Sequence, residues 1–547
     1  MKLINYFMAL AAMTQILIAC DGNVKNNLTT RDLAAPAPPP MQLMELKAPP
    51  QNSLYETAEI QDKANVQDEA FDTEDYDNII ENEFVSAEQQ PLSTFSIDVD
   101  RASYSNVRRF VESGQLPPKG AVRIEEMINY FDYKYHQPNN DDPLAIYTEV
   151  GTCPWNEKHK LVNIGLQGKI ISSDNLPLSN LVFLIDVSGS MGEPNKLPLV
   201  QQSLKLLTDQ LRENDRVAIV VYAGSAGVAL PSTEGSDKMK IKEAIDELEA
   251  GGSTAGGEGI KLAYKIAREN FITYGNNRVI LATDGDFNIG ASSDDELVTL
   301  IEKERNESVF LSVLGYGMGN YKDNKMQQLA DKGNGNHNYI DNLKEAKKVL
   351  VNEFGGTLFT IAKDVKLQVE FNPSVVSAYR LIGYDNRQLQ NEDFNDDKKD
   401  AGEVGSGHTV TALYEIIPAS ITDSFARKVD GLKYQSKKEI IESTPEVMNI
   451  KLRYKLPEAN VSKLITYPVN NSNLTLENTS RNFRFAAAVA EFGLLLRQSS
   501  FKQKSNYEQV IKIANSATGN DENGYRSGFV TLVKESMTLP KELGMTE

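Results

Sequence analysis

Leu181-Val-Phe-Leu-Ile-Asp186-Val-Ser188-Gly-Ser190-Met-Gly192 decides the fold of this 547-residue chain. Its apolar run, with β-branched residues, reads as a strand buried on both faces. The run ends in a carboxylate, then two hydroxyls at alternate positions in a glycine-containing turn, and a helix follows. Acid and hydroxyl oxygens at the carboxyl end of a parallel strand lie where an open α/β sheet places its ligand site. Hard oxygen donors of this kind suit Mg²⁺ or another hard divalent ion such as Mn²⁺ or Ca²⁺.

The residues that follow extend the pattern. Leu197, Val200, Leu204, Leu207 and Leu211 recur at three- and four-residue steps and give a one-faced helix. Arg216–Tyr222 is a second buried strand, Lys238–Glu249 a helix, and Gly251–Gly257 a flexible loop leading into a helix through Ile266. Arg278–Thr283 is another strand, closing on Asp284-Gly285-Asp286. Asp294–Glu304, Ser308–Leu314, Lys325–Asp331 and Asn338–Ile340 continue the alternation, and Leu343–Phe359 makes a final helix. Strand–helix alternation with β-branched strands predicts a doubly wound parallel sheet.

Three loops at one edge of that sheet then supply oxygens and neither nitrogen nor sulfur: Asp186-x-Ser188-x-Ser190, Thr254, and Thr283-Asp284. A D-x-S-x-S triplet alone arises by chance on the order of 0.1 times in a chain this long, so the two later loops carry the argument. On these residues the chain from about Leu178 to Phe359, within a domain taken as 178–362, resembles a von Willebrand factor type A domain. The motif resembles that family's metal-ion-dependent adhesion site. The resemblance implies hydroxyl ligands from Ser188, Ser190 and Thr254, and Asp186 and Asp284 bound to the ion directly or through water. It also implies that a partner protein's carboxylate completes the coordination.

Beyond Ile361 the pattern changes. Val365–Phe371 alternates, as do parts of His408–Ile416 and Met448–Leu456, which predicts an antiparallel, sandwich-like region. Leu144–Gly168 has the same character, so the α/β unit is expected to be inserted in, or flanked by, a β-rich α+β body. The flanks are taken as residues 91–177, an α+β region, and 363–547, β-rich with helices over Arg481–Arg497, Tyr507–Ala514 and Tyr525–Ser536. In the first flank, Asp100 or Ser103 is expected to cap a helix carrying Tyr104, Val107, Phe110 and Val111. Ser93–Tyr104, Tyr379–Arg387 and Asp400–Tyr414 resemble segments that flank this domain in exported bacterial proteins; no chemistry follows from them.

Residues 1–19 combine Lys2 with a modest apolar run ending Leu17-Ile18-Ala19, ahead of Cys20. That fits a secretory signal better than a membrane span, and its end resembles a bacterial lipobox, implying lipid on Cys20. The expected location is the cell envelope, with neither membrane preferred: Asp21 resembles an inner-membrane retention signal only in some lineages. Residues 20–90, with Ala34–Pro40 proline-rich and Glu56–Glu88 strongly acidic, read as a disordered tether. Only Cys153 then remains, so no internal disulfide is available, and beside Pro154 and Trp155 it reads as a buried thiol.

The net charge of −19 argues against non-specific nucleic-acid binding, which needs a basic face. Asp284–Gly290 departs from an EF-hand loop by one place at the glycine, and Asp393–Asp400 reads as a solvated hairpin loop. His136, His159, His337 and His408 are scattered and read as structural or surface residues. Gly-x-Ser-x-Gly, Walker and G-x-G-x-x-G patterns are absent. The expectation is a non-enzymatic, lipid-anchored protein that binds a partner protein through the cation, as an adhesion or assembly scaffold. Two rivals stand beside it: a metal-assisted hydrolase, and an envelope protein whose flanks act while the metal is only structural.

Overall fold

A computed structural model describes residues 74–139, 141–172, 176–253, 256–285, 287, 294–353, 359–426 and 444–540. Residues 1–19, read from the sequence as a signal, Cys20 and most of the stretch read as a tether lie outside the described residues. Residues 69–547 form one compact unit.

The first flank supplies β1 (Val85–Ser86), β2 (Leu92–Ser96), α1 (Ala102–Glu112), α2 (Ile124–Asn129) and a long hairpin of β3 (Leu144–Cys153) and β4 (Asn156–Gly168). The central unit runs β5 (Ser179–Asp186), α3 (Leu197–Gln210), β6 (Arg216–Tyr222), β7 (Ala226–Glu234), α4 (Lys238–Asp246), α5 (Gly256–Glu269), β8 (Asn276–Thr283), α6 (Asp294–Asn306), β9 (Val309–Gly315), α7 (Asp323–Lys332), β10 (His337–Tyr339) and α8 (Leu343–Lys347). The last part holds β11 (Thr360–Phe371), β12 (Val376–Ile382), β13 (Gly402–Gly405), β14 (Thr409–Pro418), β15 (Glu446–Lys455), β16 (Lys463–Asn470) and three helices, α9 (Arg481–Leu496), α10 (Tyr507–Ala517) and α11 (Tyr525–Thr538).

The central sheet has the order β10-β9-β8-β5-β6-β7, parallel except for the β6–β7 pair. Both faces of β5 are buried: Val182 and Leu184 enter one core layer, Leu181, Phe183 and Ile185 the other. That is why the strand reads as continuously apolar. From β5 the chain winds one way to β6 and the other way, through β8, to β9 and β10. The winding therefore reverses beside β5, and the crevice at its carboxyl end is the topological switch point.

The flanks are one body. β4 pairs with β14 from Lys160↔Ile416 to Gln167↔Thr409, and β2 pairs with β11. Two antiparallel layers result, β1-β12-β14-β4-β3 and β13-β11-β15-β16, facing each other across a shared core. The expected one-sided alternation fails in β14, which is buried along nearly its whole length. The reason is a third layer: α9, with Phe483, Phe485 and Phe492 fully buried, packs together with α1 and α2 over the outer face near Trp155, Leu161 and Leu413.

Other local expectations are corrected by long-range partners. Neither Asp100 nor Ser103 caps α1, whose preceding residue Arg101 makes no side-chain cap. Asp100 instead accepts the His337 amide at 2.7 Å, and the Ser103 hydroxyl donates to the Ala121 carbonyl at 2.7 Å. The helix expected over Leu343–Phe359 is α for its first five residues and then a π-helical turn over Lys348–Asn352. Residues 74–90, assigned to the tether, are docked on the body. Glu74 pairs with Arg109 at 2.7 Å, and Asn82 donates to the carbonyls of Leu381 and Gly383. Their acidic composition hid partners that lie far away in sequence.

Candidate metal centre

Asp186 ends β5 at the switch point, and its carboxylate is fully buried. One oxygen, Oδ1, accepts the Ser188 amide at 2.9 Å, the turn that folds Ser188 back over the strand end. The other, Oδ2, accepts the Tyr222 hydroxyl at 3.1 Å and the Thr283 hydroxyl at 3.4 Å. Those two residues close β6 and β8, the neighbours of β5, so three strand ends meet on one carboxylate. Burial pushes Asp186 up to about 6 and the charge of Asp284 adds to the rise, against the hydrogen bonds from Ser188 and Tyr222.

Ser188 Oγ lies 3.1 Å from Ser190 Oγ; Ser188 is buried and Ser190 exposed, so the cluster opens to solvent at Ser190. Two backbone bonds stitch this turn to the next loop: Gly189 N donates to Gly252 O at 3.0 Å, and Gly251 N to Val187 O at 2.7 Å. Thr254, the hydroxyl expected from that loop, lies outside the described residues. The helix that follows comes very close to β6, where a Cβ on Gly259 would stand 2.9 Å from the Cβ of Tyr222. A glycine there lets α5 seat its start against the strand end.

Asp284 follows β8, and its turn needs Gly285 at φ +96°, a conformation that favours glycine. Asp284 Oδ2 accepts Lys196 Nζ at 2.8 Å and Asn320 Nδ2 at 3.2 Å. Burial works to raise its pKa, but the bonds and charge of Lys196, with help from Asn320 and Ser190, hold it below the ordinary carboxylate range. Asp286 and 288–290, within the EF-hand-like stretch, are outside the described residues, as are 291–293.

The structure thus brings together Asp186, Ser188, Ser190 and Asp284. The donors are all hard oxygens, two of them anionic, and no group of three or more His, Cys, Asp or Glu side chains among the described residues is placed to hold a metal ion. That set fits a hard divalent cation and not a soft metal. Sequence reasoning assigned no role to Tyr222, Lys196 or Asn320. Tyr222 was findable as the last residue of β6, beside the site; Lys196 and Asn320 lie in the loops that follow β5 and β9 at the same edge of the sheet, but no spacing marks them out.

Residues 74–77 buttress the loop that bears Asn320. Asp75 forms a parallel bridge with Lys322, and Glu74 accepts the Gly319 amide at 2.9 Å while binding Arg109. Glu74→Ala is therefore expected to speed amide exchange in residues 316–322 by about tenfold, since it removes a bond to a charged acceptor. Hydrogen-exchange mass spectrometry of that peptide measures it, and unchanged exchange would refute the role.

Family models match the chain in three places: "von Willebrand factor type A domain" over residues 180–352, "von Willebrand factor" over 70–163, and "Uncharacterized protein YfbK, C-terminal" over 356–539. The "Uncharacterized protein YfbK" of Escherichia coli (strain K12) is 44% identical over 468 residues, spanning 84% of this chain and 80% of that one. The chain belongs to the YfbK family.

Within the YfbK-family chain, the central unit is a von Willebrand factor type A domain, the fold that the resemblance of its motifs implied. A Synechocystis protein, "Uncharacterized protein sll0103", is 30% identical over 175 residues, 31% of this chain and 39% of that relative. Among solved structures, "von Willebrand factor type A from Catenulispora acidiphila" is 15% identical, with 72% of this chain and 91% of that one covered at a TM-score of 0.39. A mussel byssus protein described as "with zinc occupied MIDAS motif" is 24% identical, with 32% and 45% covered at a TM-score of 0.28. No described helix is long and apolar enough to cross a membrane.

Proposed function

We propose that this chain is a lipid-anchored, non-enzymatic envelope protein that binds a partner protein through a divalent cation held by Asp186, Ser188, Ser190, Asp284 and Thr254. The supporting observation is the convergence of the first four on one solvent-open point at the switch of the central sheet. The cation, Mg²⁺ or a similar hard ion, would supply a Lewis-acidic bridge to a carboxylate on the partner. The chain's own residues do the rest. Tyr222 and Thr283 hold the Asp186 carboxylate in one orientation, and the Ser188 amide fixes the turn that presents both serine hydroxyls. Cys20 would anchor the chain to the membrane through lipid.

A pull-down from envelope extracts tests this, using wild type and Asp186→Ala with Mg²⁺ or with EDTA. The expected result is a partner retained only by wild type with Mg²⁺. Equal retention in all four conditions would refute cation-bridged binding. Retention by Ser188→Ala and Ser190→Ala variants would instead favour action through the flanks.

A further inference from the structure

We infer that Lys196 is a resident counter-charge of the metal centre, which weakens cation binding and leaves the loaded site net positive toward an anionic partner group. This deepens the proposed function and rests on its cation-binding reading. Lys196 Nζ is 2.8 Å from Asp284 Oδ2, and its side chain is only 9% exposed. It is aimed by its surroundings. Its backbone is tied at the start of α3, with the Lys196 amide on Glu193 O at 2.9 Å and the Val200 amide on Lys196 O at 2.9 Å. Its alkyl stem fills the space beside Gly317, where a Cβ would lie 2.5 Å from Lys196 Cε; Gly317 itself sits at φ +77°. A side chain at Gly317 would push the lysine off Asp284.

The charge count gives the consequence. Asp186 and Asp284 alone would set the centre at −2, and a divalent cation would bring it to zero. Lys196 makes the protein part −1, so the loaded centre is +1. Charges a few ångströms apart in a partly buried site interact far more strongly than they would in bulk water. A fixed ammonium therefore opposes the incoming cation and adds to the attraction for a carboxylate that arrives afterward. The pairing also engages Asp284 Oδ2 with two protein donors, Lys196 and Asn320.

The test is Mn²⁺ titration of the full chain by calorimetry, with wild type, Lys196→Met, Lys196→Arg and Asp186→Ala. Lys196→Met keeps the stem and removes the charge, and is expected to bind Mn²⁺ about tenfold tighter or more. Lys196→Arg keeps the charge and is expected to stay within about threefold of wild type. Acetate added to the Mn²⁺-loaded chains, read by water-proton relaxation, is expected to bind wild type more tightly than Lys196→Met. Thermal unfolding confirms that each variant is folded; Lys196→Gln replaces Lys196→Met if that variant is not. Equal Mn²⁺ affinity in wild type and the neutral variant overturns the role of Lys196 while leaving the proposed function intact. Absence of Mn²⁺ binding in both overturns both. Binding by the neutral variant alone supports the inference in its strongest form.

Discussion

Arg123→Ala is expected to destabilise the folded chain by about 3–5 kcal/mol, the usual cost of removing one partner from a buried ion-pair network. Arg123 lies just before α2 and is 6% exposed. Its guanidinium binds Glu126 on its own helix and Asp323 at the start of α7, both 1% exposed. Ser103 N donates to Glu126 at 2.9 Å and Asn106 Nδ2 to Asp323 at 3.3 Å, so α1 joins the same network. Without Arg123 two carboxylates are left buried on facing elements, one from the flank and one from the central unit. A fall in the urea midpoint of the full chain measures the loss. Replacing Arg123, Glu126 and Asp323 together by apolar residues of similar volume is expected to recover much of it. An Arg123→Ala midpoint equal to wild type would show that the network does not hold the two bodies together.

His159→Gln is expected to lower stability by on the order of 2–3 kcal/mol near pH 6, with the difference closing as pH rises. His159 is buried in β4, with Nδ1 2.6 Å from Glu415 and Nε2 3.2 Å from Asp423. Glu415 is also bound by Arg380 at 3.1 Å and Gln503 at 3.0 Å, and Lys158 acts on Asp423. Phe84, Phe425 and Phe501 close the cluster from three other segments. Burial disfavours the imidazolium, but the two carboxylates outweigh it and raise the pKa of His159 above its ordinary 6.5. A raised histidine contributes stability that is fully present below about 6.5 and lost as pH rises through the folded-state value. Glu415 and Asp423 are held low, Glu415 against its burial by His159 and Arg380, and Asp423 by the Phe425 amide and His159. Their share is present above the ordinary carboxylate range and is lost as pH falls through their folded-state values. Unfolding midpoints of wild type and variant at pH 6 and pH 9 check this; a difference that does not shrink at the higher pH would refute the protonated pairing.

How much of the site was legible follows from which interactions are local. The alternation around β5, β6 and β8 placed the doubly wound sheet, and the oxygens at the strand ends placed Asp186, Ser188, Ser190 and Asp284 at one edge. Each needs only a strand's periodicity and the rule that ligands gather at its carboxyl end. Lys196 pairs with Asp284 across 88 residues, and Asn82 reaches the Asp385 carboxylate with its amide across 303. Pairings of that kind leave no spacing pattern to read. The acidic stretch before Gln90 shows the same limit from the other side. Composition correctly reports too few apolar residues for a core, and cannot report that Glu74 and Asn82 dock onto a body folded elsewhere.

The sequence by itself determined the buried strands, the switch-point site and its oxygen chemistry, because period, burial and strand-end chemistry are carried by neighbours along the chain. Tertiary structure alone decided the rest: the register in which β4 meets β14, that three helices bury the outer face of that sheet, and that an ammonium stands against Asp284. Those outcomes depend on which surfaces meet after the chain has closed on itself, and burial then sets the strength of every charge placed there.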